Sequence, residues 1–182
     1  AHSVQTAVSS GLFDQVVVTS DSSKYLEIAS KYGASFLVNR PEELSSSFVS
    51  KLGAIKHAAS SVEREKNLKF DTIVDLDVTS PLRLSKDIKG ALELFNSKNV
   101  TSVITGCRSH RSPYTNLVEV NDSGVVSVSK SSPKILSQRQ ESPRCFDMNA
   151  SIYIWNRDSF FHEQKVFYDD TLLYEMPFDR SW

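Results

Sequence analysis

The sequence predicts an α/β fold with a mostly parallel sheet. Short apolar runs, typical of buried strands, alternate with longer stretches in which apolar residues recur every three to four positions, as on one face of a helix. Strands and helices that alternate at these lengths are usually joined by right-handed crossover connections. A chain of 182 residues is long enough for one domain with a substantial core. We therefore expect residues 1–182 to form a single domain.

The first hundred residues carry this alternation most clearly. Val4, Ala7 and Val8 share one face of a predicted helix, which Gly11 can end in the left-handed conformation. Residues 16–18 are three consecutive valines, as expected for a strand buried on both faces. The elements predicted next are a helix at 22–32, a strand at 34–40, a helix at 50–64, a strand at 70–78, a helix with Ser85 as its N-cap and a strand at 101–107.

The pattern changes after Gly106. The residues "NDSG", 121–124, separate two apolar segments and predict the tight turn of a hairpin, because Asn, Asp and Gly tolerate positive φ. Residues 107–148 are predicted to leave the sheet, and Asn149 to return to it in a strand. An isolated hairpin is marginally stable, so we expect a partner subunit to cover it.

The composition argues against nucleic acid and membranes as partners. The chain has 21 basic and 22 acidic side chains, so it lacks the excess positive charge that binds phosphate backbones or anionic lipid. Cys107 and Cys145 have neither C-x-x-C nor zinc-ligand spacing and are expected to be free thiols in a reducing compartment. No apolar run reaches the roughly 20 residues that span a bilayer. We expect a cytoplasmic protein that binds any anionic ligand through a local cluster.

Polar residues follow the predicted strand at 70–78. In an open parallel sheet, ligands bind beyond the carboxyl ends of the strands. Asp77 ends this strand, Thr79 and Ser80 offer hydroxyls, and Arg83 could reach a phosphate or carboxylate with a two-pronged contact. Alternatively, these residues only shape the turn, and Asp75 and Asp77 are solvated or paired with nearby cations.

Two more predicted strands end in polar residues. Ser20 and Asp21 could contact a ligand, or Asp21 could cap the following helix. Arg40 follows the next strand, where an arginine is as often part of a surface ion pair as a ligand contact. Three such strand ends are stronger evidence for a binding crevice than any one of them.

Several motifs together resemble one known family. The chain contains, in this order, "SGLFDQVVVTSDSSKYLEIASKYGA", "NRPEEL", "FDTIVDLDVTSPLR", "RQESPRCFDMNASIYIW" and "YEMPFDRS". These segments resemble the acylneuraminate cytidylyltransferases, the CMP-sialic acid synthetase family, over nearly the whole chain. The version "DLDVTSPLR" is similar to the branch that includes synthetases for legionaminic-acid-type sugars.

The resemblance implies a nucleotide-diphospho-sugar transferase fold, Rossmann-like, that dimerises through the protruding segment at 107–148. It implies an enzyme that joins CTP to a nine-carbon 2-keto sugar acid and releases pyrophosphate with Mg²⁺ present. Competing hypotheses are an enzyme for a Kdo-type sugar acid, another sugar nucleotidyltransferase, and a non-catalytic dimeric module that binds nucleotide.

The resemblance also implies roles for individual residues. The positions that match the nucleotide site are Ser20, Asp21, Arg40, Lys51, Thr79 and Ser80. The positions that match the sugar site are Asp77, Arg139, Gln140, Asn149, Ser151 and Tyr153, of which Asp77 and Arg139 are the catalytic candidates. Asp77 is also the candidate for a metal contact. For Tyr153 the alternative is an ordinary core aromatic, since one face of its strand is expected to be buried.

The sequence departs from the family at both ends. Family members begin with a strand and a triphosphate loop of the type "IPARGGSKGIPRKN", and they continue beyond the last matched motif into a pair of Mg²⁺-binding aspartates. Neither is present here, and loss of the first strand would leave backbone groups in the sheet without partners. We therefore expect a fragment of a longer protein, with little or no transferase activity by itself.

Overall fold

The computed structural model describes residues 1–46, 50–131 and 142–181, and within these ranges helices and strands alternate as predicted. The helices are α1 (His2–Ser10), α2 (Ser23–Lys31), α3 (Lys51–Lys66), α4 (Ser85–Lys98) and α5 (Arg157–His162). The strands are β1 (Val17–Ser20), β2 (Phe36–Asn39), β3 (Thr72–Leu76), β4 (Ser102–Arg108), β5 (Val118–Val120), β6 (Val126–Val128), β7 (Phe146–Asn156) and β8 (Leu172–Glu175). Short 3₁₀ turns cover Glu42–Leu44 and Phe178–Arg180.

The sheet is mixed, so the prediction of a mostly parallel sheet is wrong. β1 and β2 form a parallel pair, and a separate four-stranded sheet has the order β3-β7-β4-β8. β7 runs antiparallel to both β3 and β4, whereas β4 and β8 are parallel. The reason is the excursion after β4: Arg108 pairs with Phe146, so the chain re-enters the sheet at the end where it left and runs back.

Helix boundaries follow the sequence closely. Gly11 ends α1 with φ 65°, as predicted. Ser85, however, is the first residue of α4 and not its N-cap. The N-cap is Leu84, whose backbone N–H donates to Asp87 Oδ2 at 2.9 Å, so a carboxylate inside the first turn replaces the expected serine cap.

The predicted hairpin is present as β5 and β6. Asn121 Oδ1 accepts hydrogen bonds from the backbone N–H groups of Ser123 and Val125, and Gly124 has φ 78°. β4 continues to Arg108 and β7 starts at Phe146, so the predicted bounds of the excursion, 107–148 with a return at Asn149, are too wide. Of the described residues in this part of the chain, 109–131 and 142–145 lie outside the four-stranded sheet.

The core lies on both faces of β7. Ile152 and Ile154 pack with residues of α4, while Tyr153 and Trp155 pack with residues of α3 and α5. A strand covered on both faces explains the continuous apolar run in the sequence. Cys107 and Cys145 are free, as expected. No helix in the described ranges is long and apolar enough to cross a membrane.

A slot separates the two sheets between β1 and β3. In the part of the chain that the structure describes, neither strand pairs with another on this edge. Cavities of about 380 and 210 Å³ occupy the slot, both lined by residues of β1 and β3, the larger also by α3 and the smaller also by α1. The buried hydroxyl of Thr19 has no hydrogen-bond partner there. The slot is thus a discontinuity in an otherwise layered molecule.

Candidate functional site

An ionic cluster lies where β3 ends and α3 begins. Lys51 is the first residue of α3, and its Nζ lies 2.9 Å from Asp75 Oδ2 and 3.6 Å from Asp77 Oδ2. Asp75 and Asp77 are two positions apart, so their side chains share one face of the strand. The helix N-terminus adds a partial positive charge that favours these carboxylates. Three charged groups from two elements therefore converge at this edge.

Tyr153 provides the floor of this cluster. Lys51 Nζ lies 3.8 Å from the centre of the Tyr153 ring, a cation–π contact. The ring is 4% exposed and stacks on Trp155 with centroids 5.5 Å apart and planes 6° apart. Tyr153 is thus a core aromatic, as the alternative interpretation expected, but one of its faces meets the charged cluster.

Opposite charges within the cluster favour the ionised forms of Lys51 and Asp77. Burial acts to lower the pKa of Lys51, but the neighbouring Asp75 and Asp77 outweigh it and raise that pKa. Burial acts to raise the pKa of Asp77, but hydrogen bonds from Thr79 and the charge of Lys51 lower it overall. Burial, with the nearby Asp75 charge, raises the pKa of the Tyr153 hydroxyl. At neutral pH, Lys51 is therefore a cation that faces an ionised Asp77.

The loop after β3 orients Asp77. The backbone N–H and the hydroxyl of Thr79 both donate to Asp77 Oδ1, at 2.9 and 2.7 Å. Ser80 is 6% exposed, and its hydroxyl lies 3.5 Å from the backbone oxygen of Asn149. In this structure the two predicted nucleotide contacts, Thr79 and Ser80, shape the end of β3, and Asp77 Oδ2 remains directed toward Lys51.

A second polar group lies at the ends of β1 and β2. Arg40 Nη2 and Asp21 Oδ1 are 3.3 Å apart, and Arg40 Nε donates to Ser45 Oγ at 3.1 Å. The N-cap of α2 is Ser22, so Asp21 does not cap that helix. Ser20 Oγ accepts from the backbone N–H of Ser22 at 3.1 Å. Ser20, Asp21 and Arg40 thus lie close together. Arg40 forms an ion pair with Asp21, as the alternative interpretation expected.

These two groups belong to different sheets. Within the described ranges, no hydrogen bond or ion pair joins Asp21 or Arg40 to the Lys51 cluster. α3 is the structural link, because it packs on β1 and β2 and starts at Lys51. The cavities in the slot are lined by Asp75 but not by Asp21, Arg40 or Asp77.

The predicted sugar-side residues of β7 have partners within the protein. Asn149 Oδ1 accepts from Thr105 Oγ1 at 2.7 Å and from the Ser151 N–H at 3.1 Å, and its Nδ2 donates to Ser181 Oγ at 3.1 Å. Ser151 is fully buried. Between them, Ala150 has φ 54°, a conformation that costs an alanine about 1 kcal/mol or more. Arg139 and Gln140 lie outside the described residues.

Arg83 does not face a ligand crevice. It is 1% exposed, and it donates through Nη1 to the Ser151 backbone oxygen at 2.8 Å and through Nη2 to Ser3 Oγ at 2.7 Å. Burial lowers its pKa, and the charges of Asp77 and Asp75 oppose that change. The expected two-pronged contact to a ligand is therefore wrong for this structure, in which Arg83 ties α1 to β7.

The described residues offer a partial site for a metal ion. They contain no group of three or more His, Cys, Asp and Glu side chains suited to hold one. Asp75 and Asp77 nevertheless form a pair of carboxylates beside one lysine. Such a pair fits Mg²⁺, which is commonly held by one or two carboxylates, water and substrate phosphates.

Two residues of this region were missed in the sequence. The pairing of Asp75 with a cation agrees with the alternative interpretation, but Asp75 was not among the predicted site residues, although its spacing of two from Asp77 places both on one face of a strand. Thr105 had no sequence signal, because its role depends on an irregularity of β7 that no local pattern reveals.

A sheet with helices on both faces and charged side chains at strand ends defines a nucleotide-binding type of α/β protein. The chain belongs to the cytidylyltransferase family, whose model matches residues 1–180. It is 39% identical to the post-translational flagellin modification protein B of Campylobacter coli over 97% of this chain and 74% of that protein. It is 38% identical to the CMP-N,N'-diacetyllegionaminic acid synthase of Campylobacter jejuni, with the same coverage of both chains.

A solved structure shares the fold. It is described as CMP:2-keto-3-deoxy-manno-octonic acid synthetase complexed with CTP, and it matches with a TM-score of 0.55 and 17% identity. The match covers 90% of this chain and 66% of that one. The likeness supports the architecture described above.

Proposed function

We propose that this protein transfers the cytidylyl group of CTP to a nine-carbon 2-keto sugar acid of the legionaminic or sialic type. The main support for this proposal is the cluster of Lys51, Asp75 and Asp77 at the carboxyl end of β3, in a chain of this family. The 38% identity to a protein named as a legionaminic acid synthase favours that sugar type as the first candidate.

The reaction needs positioning more than covalent chemistry by the protein. The anomeric oxygen of the sugar acid forms a bond to the α-phosphorus of CTP, the bond from that phosphorus to the pyrophosphate oxygen breaks, and the hydroxyl proton leaves to solvent or a carboxylate. Such transfers are accelerated by alignment and by neutralisation of phosphate charge. Ser20, Asp21 and Arg40 are proposed to contact the nucleotide, and Lys51 to contact its phosphates.

Asp77 is proposed to lie between the nucleotide and the sugar acid. Its lowered pKa keeps it ionised at neutral pH, so it can hold a cation or accept a hydrogen bond from a sugar hydroxyl. Mg²⁺, when bound by Asp77 and Asp75 with substrate phosphates, would neutralise charge on the phosphates. Lys51 occupies the space between the same carboxylates, so it is expected to compete with the cation.

The activity can be tested with the intact gene product, CTP and Mg²⁺. Separate reactions receive N,N'-diacetyllegionaminic acid, N-acetylneuraminic acid or Kdo, and both CMP-sugar and pyrophosphate are quantified. We expect equal amounts of the two products, and the highest kcat/KM for a nine-carbon acid. CTP binding without turnover of any acid would favour the non-catalytic module, and turnover of Kdo alone would favour the Kdo-type enzyme.

We also propose that the protein is a homodimer that buries one face of the β5–β6 hairpin. Val118 pairs with Val128 and Val120 with Val126, so the four valines lie on one face. Each is 42–64% exposed, which is unusual for a cluster of this size. A two-stranded hairpin is marginally stable alone, and packing against a second copy would stabilise it. A second copy is the occupant that matches an apolar, uncharged face.

Val126→Asp tests this proposal because it places a charge within the valine face. We expect Val126→Asp to shift the protein toward monomer in light scattering after size-exclusion chromatography. Ser127→Asp adds the same charge to the opposite face and is expected to leave the dimer intact. A monomeric wild-type protein, or equal behaviour of the two variants, would contradict the proposal.

A further inference from the structure

The middle of β7 departs strongly from a regular ladder. Ile104 of β4 lies opposite Tyr153, but Gly106 lies opposite Met148. One β4 residue, Thr105, therefore spans residues 149–152 of β7, where a regular antiparallel pair would have a single partner. The extra residues form a bulge at residues 149–151, in which Ala150 has φ 54°.

The hydroxyl of Thr105 replaces the missing ladder hydrogen bonds. It accepts from the backbone N–H of Ile152 at 3.0 Å and lies 2.7 Å from Asn149 Oδ1. It also lies 3.3 Å from the backbone oxygen of Ile152. A hydroxyl has one proton to donate, and Thr105 donates it to the closer oxygen, that of Asn149. Thr105 is 1% exposed, so water does not substitute for these bonds. Asn149 then closes the bulge by accepting from Ser151 N–H at 3.1 Å.

The bulge in turn supports the candidate site. The backbone oxygen of Ser151 accepts from the Asp77 N–H at 3.1 Å. The backbone oxygen of Asn149 lies 3.5 Å from Ser80 Oγ. The position of the bulge therefore determines where β3 ends and where Asp77 and Ser80 lie. Asp21 and Arg40 are carried by the other sheet and do not depend on it.

We propose that Thr105 is a positioning residue that clamps the 149–151 bulge and thereby fixes Asp77 against the sugar-acid substrate. The proposal rests on the proposed function, since it concerns the sugar side of that same site. Thr105 bonds directly to Asn149, itself a candidate sugar contact, and reaches Asp77 only through the bulge, so it acts on the reacting atoms indirectly.

The test compares Thr105→Val with Ser102→Ala in the intact gene product. Both changes remove a buried hydroxyl from β4, but Ser102 bonds to Thr171 Oγ1 at 2.7 Å, away from the bulge. We expect Thr105→Val to raise the KM for the sugar acid about tenfold or more, because small displacements of positioning groups are costly. The KM for CTP should change less, by about twofold, since the candidate contacts Ser20, Asp21 and Arg40 belong to the other sheet and still hold the nucleotide. Thr105→Ser should restore the wild-type values.

Hydrogen exchange gives a readout that does not require activity. We expect the Ile152 amide to exchange faster in Thr105→Val than in wild type or Ser102→Ala, since valine cannot accept its hydrogen bond. Unchanged exchange would overturn the clamp, and faster exchange with an unchanged sugar-acid KM would overturn the positioning role. If wild-type protein makes no CMP-sugar, the proposed function fails, while the exchange measurement still decides the clamp.

Variants at Ala150 provide a second route if Thr105→Val does not fold. A β-branched residue is strongly disfavoured at positive φ, whereas glycine adopts it freely. We expect Ala150→Val to raise the sugar-acid KM with Thr105 intact, and Ala150→Gly to leave it near the wild-type value. Equal KM values in these two variants would overturn the proposal.

Discussion

At the scale of single residues, Lys51 is the residue that joins the parts of the candidate site. Its ammonium contacts Asp75, Asp77 and the face of Tyr153 at once. Without a ligand, this arrangement places one positive charge beside two carboxylates that would otherwise repel each other. With a nucleotide present, the same ammonium can turn toward phosphate oxygens, since a lysine chain is long and flexible.

Lys51→Met should therefore weaken the use of CTP and strengthen the binding of Mg²⁺. We expect kcat/KM for CTP to fall about 10- to 100-fold, corresponding to roughly 1.5–3 kcal/mol for a lost hydrogen bond to a charged group. The Mg²⁺ concentration needed for half-maximal rate should fall, because the competing ammonium is gone. Lys56→Met removes the same charge from α3, where Lys56 Nζ donates to the Phe161 backbone oxygen at 2.8 Å, and should change neither constant. Similar kinetics of both variants would contradict a role for Lys51 at the phosphates.

At the scale of elements, two helical glycines have different surroundings. A Cβ on Gly90 of α4 would lie 2.5 Å from the Tyr174 hydroxyl and 2.7 Å from two ring carbons. Among the described residues, a Cβ on Gly53 of α3 would meet only Leu44 Cδ2, at 3.4 Å. Gly90 is thus required by the close packing of α4 on β8, whereas Gly53 is not required by packing.

Substitution by alanine should separate these cases. Alanine favours a helix over glycine by about 1 kcal/mol, and overpacking costs about 1–3 kcal/mol. We expect Gly53→Ala to raise the free energy of unfolding by up to about 1 kcal/mol. Gly90→Ala should lower it by about 1–2 kcal/mol, because the Tyr174 ring must move. Urea unfolding at neutral pH measures both, and stabilisation by Gly90→Ala would show that the ring moves at little cost.

At the scale of the whole molecule, a pair of charged side chains joins α3 to α5. Arg157 donates to both carboxylate oxygens of Glu63, at 2.6 and 2.9 Å, and the side chain of Glu63 is 10% exposed. The hydrogen bonds from Arg157, with one from the Phe70 N–H, lower the pKa of Glu63 despite its burial. Folding therefore favours the ionised carboxylate.

Because of this ion pair, we expect the free energy of unfolding to fall at acidic pH. The stabilisation by Glu63 is fully present above its ordinary pKa of 4.5 and is lost as the pH falls through the lower value of the folded state. We expect Glu63→Gln to be less stable than wild type by about 2 kcal/mol at pH 7, and the difference to shrink below about pH 4.5. Urea unfolding midpoints across pH 3 to 7 measure this, with the exposed Glu65→Gln as control. A difference that is constant with pH would contradict the assignment.

Local patterns predicted the elements better than their arrangement. The helix at α4 is predicted correctly, with Ile88, Ala91 and Phe95 on its buried face, because burial imposes its period directly on the sequence. The valines at 16–18 predict a strand correctly, but β1 begins at Val17 and the three valines are half-buried, not buried on both faces. The antiparallel direction of β7 could not be read, since a run apolar on both faces is the same in either direction. Strand direction depends on how the excursion returns, and that is a property of the path and not of local composition.

Local patterns also predict only part of the candidate site. Asp77 and Lys51 come together, and Asp21 and Arg40 form their own group, as expected for strand ends. The motifs assign Asn149 and Ser151 to the sugar side, but the Asn149 side chain bonds to Thr105 at 2.7 Å and the Ser151 hydroxyl lies 3.4 Å from Arg83 Nη1. The need for those bonds arises from the left-handed Ala150, which the sequence does not indicate, since alanine rarely adopts that conformation.

The slot between β1 and β3 also bears on how the molecule deforms. Backbone hydrogen bonds join the strands within each sheet but, among the described residues, none joins β1 to β3, so shear and opening meet the least resistance along this boundary. The candidate nucleotide contacts Ser20, Asp21 and Arg40 would move with the β1–β2 sheet, and Asp77 would move with the four-stranded sheet. Any polypeptide segment that bridges the boundary would therefore set the spacing of the two half-sites, and substrate affinity would rise with the stiffness of that bridge.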